Sequence, residues 1–413
     1  MLRASALYLV IIVSLVIAIF SATLITTAYL YKLEYQKNLR FSRLSANLES
    51  GYALVLSSNF LSKNQDIIID LFGDEKDSIL IRKEAWGIYH LAQIKSFVLR
   101  DTLDKTFLIG NTQTDSVAIH LADEDRPLSV SGSTQITGDG ILPKAGIKPA
   151  YVEGKPYAAK RLINGKVRES TRNLPLLESA LIDKLDNLFK PSDTLNYTGL
   201  SDSLTNSFFN PTIYIRLGKR QTELYGNILK GRIVVFCDTN IYIAANTVLE
   251  DVQVYAPAII VEDGFSGSCQ LYARDSVVIG KNSVLKYPSC IGVLKRADSK
   301  IQPKIEVGEG TEISGVLFSY EKTRSQLQTS INLARNTTVY GDIYASGNLK
   351  LQKPLNVFGK VSCRRFLVQT PSTLFENYLI DLVINRKKLS ADYLSSPLFT
   401  GKNSKQQILK WLN

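Results

Sequence analysis

The sequence predicts a mainly β protein: a single N-terminal transmembrane helix followed by a parallel β-helix (solenoid) with a helical insertion. Three observations carry this prediction. No charged residue occurs from Ala4 to Tyr31. Short alternating apolar segments recur every 18 residues in the C-terminal half. Between them and the helix lies NLPLLESALIDKLDNLFK, in which Leu177, Leu181, Leu185 and Leu188 share one helical face.

Composition sets the bounds. The chain has 413 residues, 45% hydrophobic, 9% aromatic and 21% charged, values that exclude a disordered chain and a polytopic membrane protein. Lys and Arg outnumber Asp and Glu by 49 to 38, a net +11. Two histidines, one methionine and four cysteines are a thin stock for metal, redox or acid–base chemistry.

A bilayer span needs about 20 apolar residues, so the 28 uncharged residues from Ala4 to Tyr31 suffice. A cleaved signal has an apolar core of roughly 7–15 residues; here the run continues past Ser21-Ala22-Thr23 through Leu24, Ile25 and Leu30, which favours a retained anchor. Ser14, Ser21, Thr23, Thr26 and Thr27 are tolerable in a span because their hydroxyls bond back to carbonyls of the preceding turn. Lys32, Lys37, Arg40 and Arg43 follow the span, and the positive-inside rule alone would put the C-terminal part in the cytoplasm. Beyond it, Leu33, Leu44, Leu48, Tyr52 and Val55 keep mostly helical spacing with no proline before Pro127. One long helix is expected, its second half packed on a folded head.

The leader MLRA, the apolar helix and RFSRLSANLESGYALVL resemble the N-terminal module of pilin-like proteins, of the minor pilin and minor pseudopilin K type. Ala46, Glu49, Gly51 and Ala53 match that group's A-x-x-A-E-A-G-like motif loosely. The resemblance covers about the first 60 residues and implies a head in the periplasm or exterior and homologous pilin-like subunits as partners. Two positions depart from the pattern: Ala4 (or Ala6) stands where a leader glycine is expected, and Leu9 where most mature pilins carry glutamate.

Segments beginning at Ile241, Ile259 and Val277 are 18 residues apart, and further copies begin at Ile305, Ile331 and Leu349. Apolar residues recur at offsets 0, 2, 8 and 12, Gly or Asp favours offset 10, and a small residue offset 14. Runs of this kind broken by Gly, Asn and Asp are strands joined by tight turns. One unit cannot bury its apolar face alone, so units stack into a parallel β-helix. The same frame fits Leu128 to Leu142, leaving 143–226 as an excursion whose helix caps or braces the solenoid. VYGDIYASGNLKL and VGEGTEISG resemble bactofilins, a β-helical cytoskeletal family, over roughly 241–365. That resemblance implies a scaffold polymerising end to end, whereas the residues after Cys363, including TLFENYLIDLVINRKKL, are expected to shield one end.

Residues of chemical interest have bland readings. Cys237 and Cys363 occupy the small-residue offset, Cys269 and Cys290 lie close to core positions, and no C-x-x-C spacing exists; buried free thiols are expected, with a disulfide the alternative. His90 and His120 have no partner at catalytic spacing. The acidic clusters at 73–77 and 123–126 are calcium candidates that read more simply as solvated turns. Asp238, Asp251, Asp263 and Asp275 recur out of phase with the coil and make no acidic row of the kind a glycan-cleaving β-helix uses. No catalytic, cofactor-binding or metal site is assigned.

The domains expected are 1–56, the helix; 57–127, a small mixed β region; 128–370, the solenoid with its insertion at 143–226; and 371–413, a C-terminal cap. The expected function is non-enzymatic: a membrane-anchored structural component of a bacterial secretion or surface-filament apparatus, C-terminal region periplasmic or extracellular. Alternatives are a cytoplasmic membrane-linked bactofilin-like scaffold and an envelope polysaccharide-active enzyme. Partners would be the lipid bilayer, homologous subunits and anionic envelope glycans drawn by the basic surface. Nucleic acid is not expected, since the aromatics do not interleave with the basic residues.

Overall fold

The structure is a computed structural model that describes residues 2–57, 66–71, 73, 77–113, 115–190, 195–218, 221–370, 373–399 and 404–412. The chain divides into two compact units, 1–83 with 92–105, and 84–91 with 106–413. Three strands, Ser78–Trp86, Tyr89–Val98 and Asp101–Asn111, contribute residues to both.

In the first unit, helix α1 runs unbroken over Leu2–Leu56. Its apolar side chains from Leu7 to Leu39 are exposed. The hydroxyls of Ser14, Thr23, Thr26 and Thr27 donate to carbonyls three or four residues back at 2.7–3.0 Å, as the sequence leads one to expect. The character of the helix changes in its last four turns. Leu44, Leu48 and Val55 are buried and Gly51 completes their stripe, since a Cβ there would come within 2.9 Å of Ile94. Leu33, placed in the same stripe from the sequence, is exposed. The stripe packs with Ile79, Ile81 and Ile94, all buried; Ile67–Ile69 pairs antiparallel with the strand carrying Ile79 and Ile81. Lys83 Nζ donates to the Val55 carbonyl at 3.0 Å, satisfying one of the carbonyls left open at the helix end. Arg40 pairs with Asp101 at 2.6 Å.

The second unit is a closed, mainly parallel sheet of stacked coils. The register follows the repeat. Ile241 lies opposite Ile259, Ile259 opposite Val277, Val277 opposite Ile305, Ile305 opposite Ile331 and Ile331 opposite Leu349. These residues and those two positions on are essentially inaccessible and form one continuous core. Intervals longer than 18 are absorbed by loops between Leu294 and Lys304 and between Tyr320 and Ser330, so the pairing continues undisturbed.

The order of coils in space differs from the order in the chain. Beyond the coil ending at Gln369 the stack continues with residues from both flanks. Leu355 pairs with Leu382 near the C terminus, whereas Val361 pairs with Ile119 from the strand Val117–Leu121. Val383 then pairs with Gln135, Ile119 with Gly140, and Gly140 with Val167. The coil at 128–142 therefore sits beyond the C-terminal segment and not before Ile241. Residues 374–385, expected in a terminal cap, supply an internal coil instead, and Val117–Leu121, expected in a separate β region, belongs to the stack. Each coil presents open backbone groups on both edges, so any coil of matching register can pair there.

The excursion 143–226 reconciles the two orders. Ile147, Tyr157, Leu162 and Ile163 pack on the core beside the coil at 128–142. The chain then returns along the stack: Tyr344 donates to the Pro175 carbonyl, and Arg274 pairs with Asp186 at 2.6 Å. It re-enters the sheet where Tyr197 pairs with Tyr214, and Leu200 and Leu204 cover the core there. Helix α2, Ser179–Leu188, lies on the outside of the coils and buries Leu181, Ile182 and Leu185, bracing the solenoid as anticipated. Its apolar side joins a second core with Trp86, Ile88, Tyr255, Tyr272, Phe318 and Tyr344. Phe236, Tyr255 and Tyr272 stack there in successive coils at 5.5 and 5.0 Å.

Candidate functional site

The second unit carries a cleft of about 110 Å³ with both polar and apolar lining. Its floor is the outward face of two adjacent coils. Asp342 and Tyr344 lie opposite Lys360 and Ser362 in strands Thr338–Leu351 and Leu355–Gln369. Strand alternation turns Ile343 and Val361 into the core and sends these neighbours outward. The walls come from elsewhere in the chain: Asn111, Thr112, Gln113 and Asp115; Pro175 to Leu177; and Ser395, Phe399 and Ser404. Asn111 and Ser395 exchange backbone hydrogen bonds at 2.8 Å, and Thr112 N donates to the Lys405 carbonyl at 2.8 Å, which fixes one wall. Leu177 bridges to Phe399, and the Phe399 ring lies 6.1 Å from that of Tyr344.

Asp342 is buried. Its carboxylate accepts from Gln113 Nε2 at 2.9 and 3.0 Å, Ser395 Oγ at 2.7 Å and Tyr393 OH at 3.3 Å. Burial nevertheless pushes it above the ordinary carboxylate range, against the pull of Ser395, Arg386, Lys360 and Gln113. Asp115 forms an ion pair with Lys360 at 2.7 Å. His120 lies next to Ser362 on the same outward face and is 8% exposed. Burial, aided by Lys360 and Arg168 and opposed by Asp115, lowers its pKa to about 4, so the ring is neutral near pH 7. Neither His120 nitrogen, nor Asn111 Oδ1, nor Gln113 Oε1 has a hydrogen-bond partner among the described residues, although all four atoms are enclosed.

Both carboxylates are thus already engaged, Asp342 by uncharged donors and Asp115 by an ammonium. The unpartnered polar atoms, Asn111 Oδ1, Gln113 Oε1 and the His120 nitrogens, are enclosed and do not themselves face the cleft.

The other candidates resolve individually. All four cysteines are buried free thiols, and burial raises Cys269 to about 12. His90 sits on strand Tyr89–Val98. In the cluster at 123–126, Asp123 accepts from the backbone of Asp125, Glu124 pairs with Arg365 at 2.6 Å and Arg324 at 3.0 Å, Asp125 pairs with Arg172, and Arg126 with Glu376. Glu124 and Asp125 thus serve cations of the protein itself, and Asp123 accepts from the backbone amides of Asp125 and Lys144. In the cluster at 73–77, residues 74–76 lie outside the described residues. Asp238 and Asp251 pair separately with Arg216 and Lys410. The sequence had singled out none of the polar lining residues of the cleft; it had named Leu177, as part of a helical stripe, and His120, which lies beside the floor residue Ser362. Asp342 falls on an outward repeat position, so alternation predicts exposure; its burial arises from segments 50 to more than 200 residues away in the chain.

Comparison with protein-family models, with curated proteins and with solved structures gave no match, so the pilin-like and bactofilin-like resemblances rest on the quoted residues.

Proposed function

We propose that this is a non-enzymatic, membrane-anchored structural component of a bacterial secretion or surface-filament apparatus of the pilin-like kind, presenting its solenoid outside the cytoplasm. One observation carries the reading: α1 changes abruptly along its length. No described residue covers the apolar window of its first part, whereas Leu44, Leu48 and Val55 are buried. At 1.5 Å per residue, the 28 uncharged residues extend about 42 Å, beyond the roughly 30 Å of bilayer hydrocarbon. The rest of the helix is a stalk held by its own sheet. Apolar side chains left bare over such a length require lipid or neighbouring helices. The ladder of stacked coils is suited to presenting a rigid side, and the engaged carboxylates favour a scaffold over a catalyst.

The test is membrane fractionation of the full chain with an alkaline carbonate wash, a C-terminal topology reporter, and mass analysis of the mature amino terminus. Retention in the washed pellet with an external C terminus is expected, and a start at Ser5 or Leu7 would establish leader processing. Release by carbonate overturns the anchor. A cytoplasmic C terminus overturns the pilin-like reading in favour of a membrane-linked, bactofilin-like scaffold, the topology favoured by Lys32, Lys37, Arg40 and Arg43.

A further inference from the structure

We propose that the last coil of the stack, residues 147–169, docks a linear polyanion of the cell envelope, built of sugar or polyol units that each carry a carboxylate or phosphate. The inference deepens the exported-scaffold reading by naming a partner, and rests on it for the choice of an envelope polymer. Ile147 pairs with Leu128, Asn164 with Thr137 and Val167 with Gly140. Among the described residues no strand pairs with the far side of this coil, so it ends the stack. Its charge sets it apart. Residues 144–172 hold eight Lys and Arg against two Glu, a net +6 in a chain whose total is +11. The coil beneath, 128–142, adds Asp139 alone, which lies near Lys166 and Arg168. Lys155 pairs with Asp381, Arg172 with Asp125, and Glu153 is held by Lys353. Lys144, Lys148, Lys160, Arg161, Lys166 and Arg168 are exposed, and none forms an ion pair among the described residues.

Lysines on an open edge are also the ordinary guard against pairing with another chain. The opposite end of the stack decides between the two. Its edge strand, Ser203–Asn206, pairs on one side only among the described residues, and residues 197–206 carry a single charge, Asp202. A guard is needed at both ends, so the basic coil answers to something else. A second copy stacked head to tail would set six cations against that one carboxylate, a poor match. Tyr151 and Val167 are the large apolar side chains exposed in 144–172, too few to stack successive bases or to enter a bilayer interface. Unpaired cations spread along an edge with little apolar surface suit a flexible chain of repeated anions.

The test uses the full chain in lauryldimethylamine oxide near neutral pH. Fluorescent oligogalacturonate and poly(glycerol phosphate) are titrated by polarisation, with single-stranded DNA of equal charge and phosphatidylglycerol in mixed micelles as competitors. Saturable binding of at least one of the two polymers is expected, with a Kd of about 1–100 μM at about 50 mM salt that weakens roughly tenfold or more at about 200 mM. Lys160→Gln with Arg161→Gln and Lys166→Gln should weaken it roughly tenfold or more. Lys144→Gln with Lys148→Gln, beside another strand of the coil, should also weaken it and covers a failure of the first variant to fold. Lys281→Gln with Lys286→Gln and Lys300→Gln removes the same charge from exposed sites on other coils and should leave the affinity within about twofold. Tighter binding of the galacturonate identifies a carboxylate polymer, and of the glycerol phosphate a phosphate one. The proposal is overturned by absence of saturable binding, by equal loss in the control variant, or by tighter binding of the DNA or the mixed micelles than of either polymer. The topology reporter reads the exported-scaffold proposal alone, so the two can fail separately.

Discussion

Asp381 ties the C-terminal segment to the coil at 128–142, and its removal tests the non-sequential stacking directly. It accepts from Ser133 N at 2.9 Å and Ser133 Oγ at 3.1 Å, and pairs with Lys155 at 2.9 Å and Lys353 at 3.8 Å. The Ser133 amide leads in holding the carboxyl down to about 2 from an ordinary 3.8, with Lys155 and the Ser133 hydroxyl adding to it and burial opposing. At 1.36 kcal/mol per unit the full shift would be about 2.4 kcal/mol. The Lys155 side chain is 55% exposed, and solvent screening reduces the figure to about 1–2 kcal/mol. Because the folded pKa lies below the unfolded one, this stability is fully present above pH 3.8 and is lost as pH falls through 3.8 toward 2. Asp381→Asn keeps a residue that tolerates the local φ of +53° and removes the charge together with one of the two acceptor oxygens. Urea unfolding of the full chain in detergent should show a loss of about 1–2 kcal/mol at pH 7 that shrinks to about a third of that near pH 2.5. An unchanged midpoint at pH 7, or the same loss at both pH values, refutes the reasoning.

Three further perturbations test other parts of the fold. Gly315, Gly341 and Gly359 stand in register at offset 10 of the repeat, and a Cβ on Gly359 would lie 1.7 Å from the Gly341 carbonyl oxygen; Gly359→Ala should cost about 3 kcal/mol or more or abolish folding, whereas an unchanged melting temperature would show that the coils can separate there. The Gln270 side chain accepts from Ile88 N at 3.1 Å and Tyr272 OH at 2.5 Å and donates to the Trp86 carbonyl at 3.3 Å. Gln270→Leu takes the donor from the Trp86 carbonyl and the acceptor from the Tyr272 hydroxyl, while Ile88 N keeps its bond to that hydroxyl at 3.1 Å, and should cost about 1–3 kcal/mol by urea unfolding. Truncation after Thr370 removes the coil that pairs with both Leu355 and Gln135, so limited proteolysis should cut within 128–169 far faster than in the full chain; equal protection would show that those coils stand without it.

How much of this was legible in the sequence differs from element to element. The 18-residue frame placed Ile241, Ile259, Val277, Ile305, Ile331 and Leu349 in one column, and the structure pairs them so. The α2 stripe was visible as Leu181 and Leu185 at helical spacing. These features are local: side-chain alternation and helical periodicity act over a few residues and leave their mark in any window of that length. The preference for glycine at offset 10 was likewise visible, although its reason, the carbonyl of the preceding coil, was not.

The sequence by itself determined the apolar helix, the coil length and the inward residues of each coil. Tertiary structure alone decided which coils adjoin. The edges of a coil are backbone hydrogen-bonding rows with almost no residue code, so nothing near Val361 announces that its partner is Ile119. The cleft depends on the same step. Seating Val117–Leu121 beside Val361 places Asn111 and Gln113 over Asp342, turning outward repeat positions into an enclosed polar floor. Burial of this kind follows from what a distant segment covers, a property of the folded chain that no spacing within one repeat encodes.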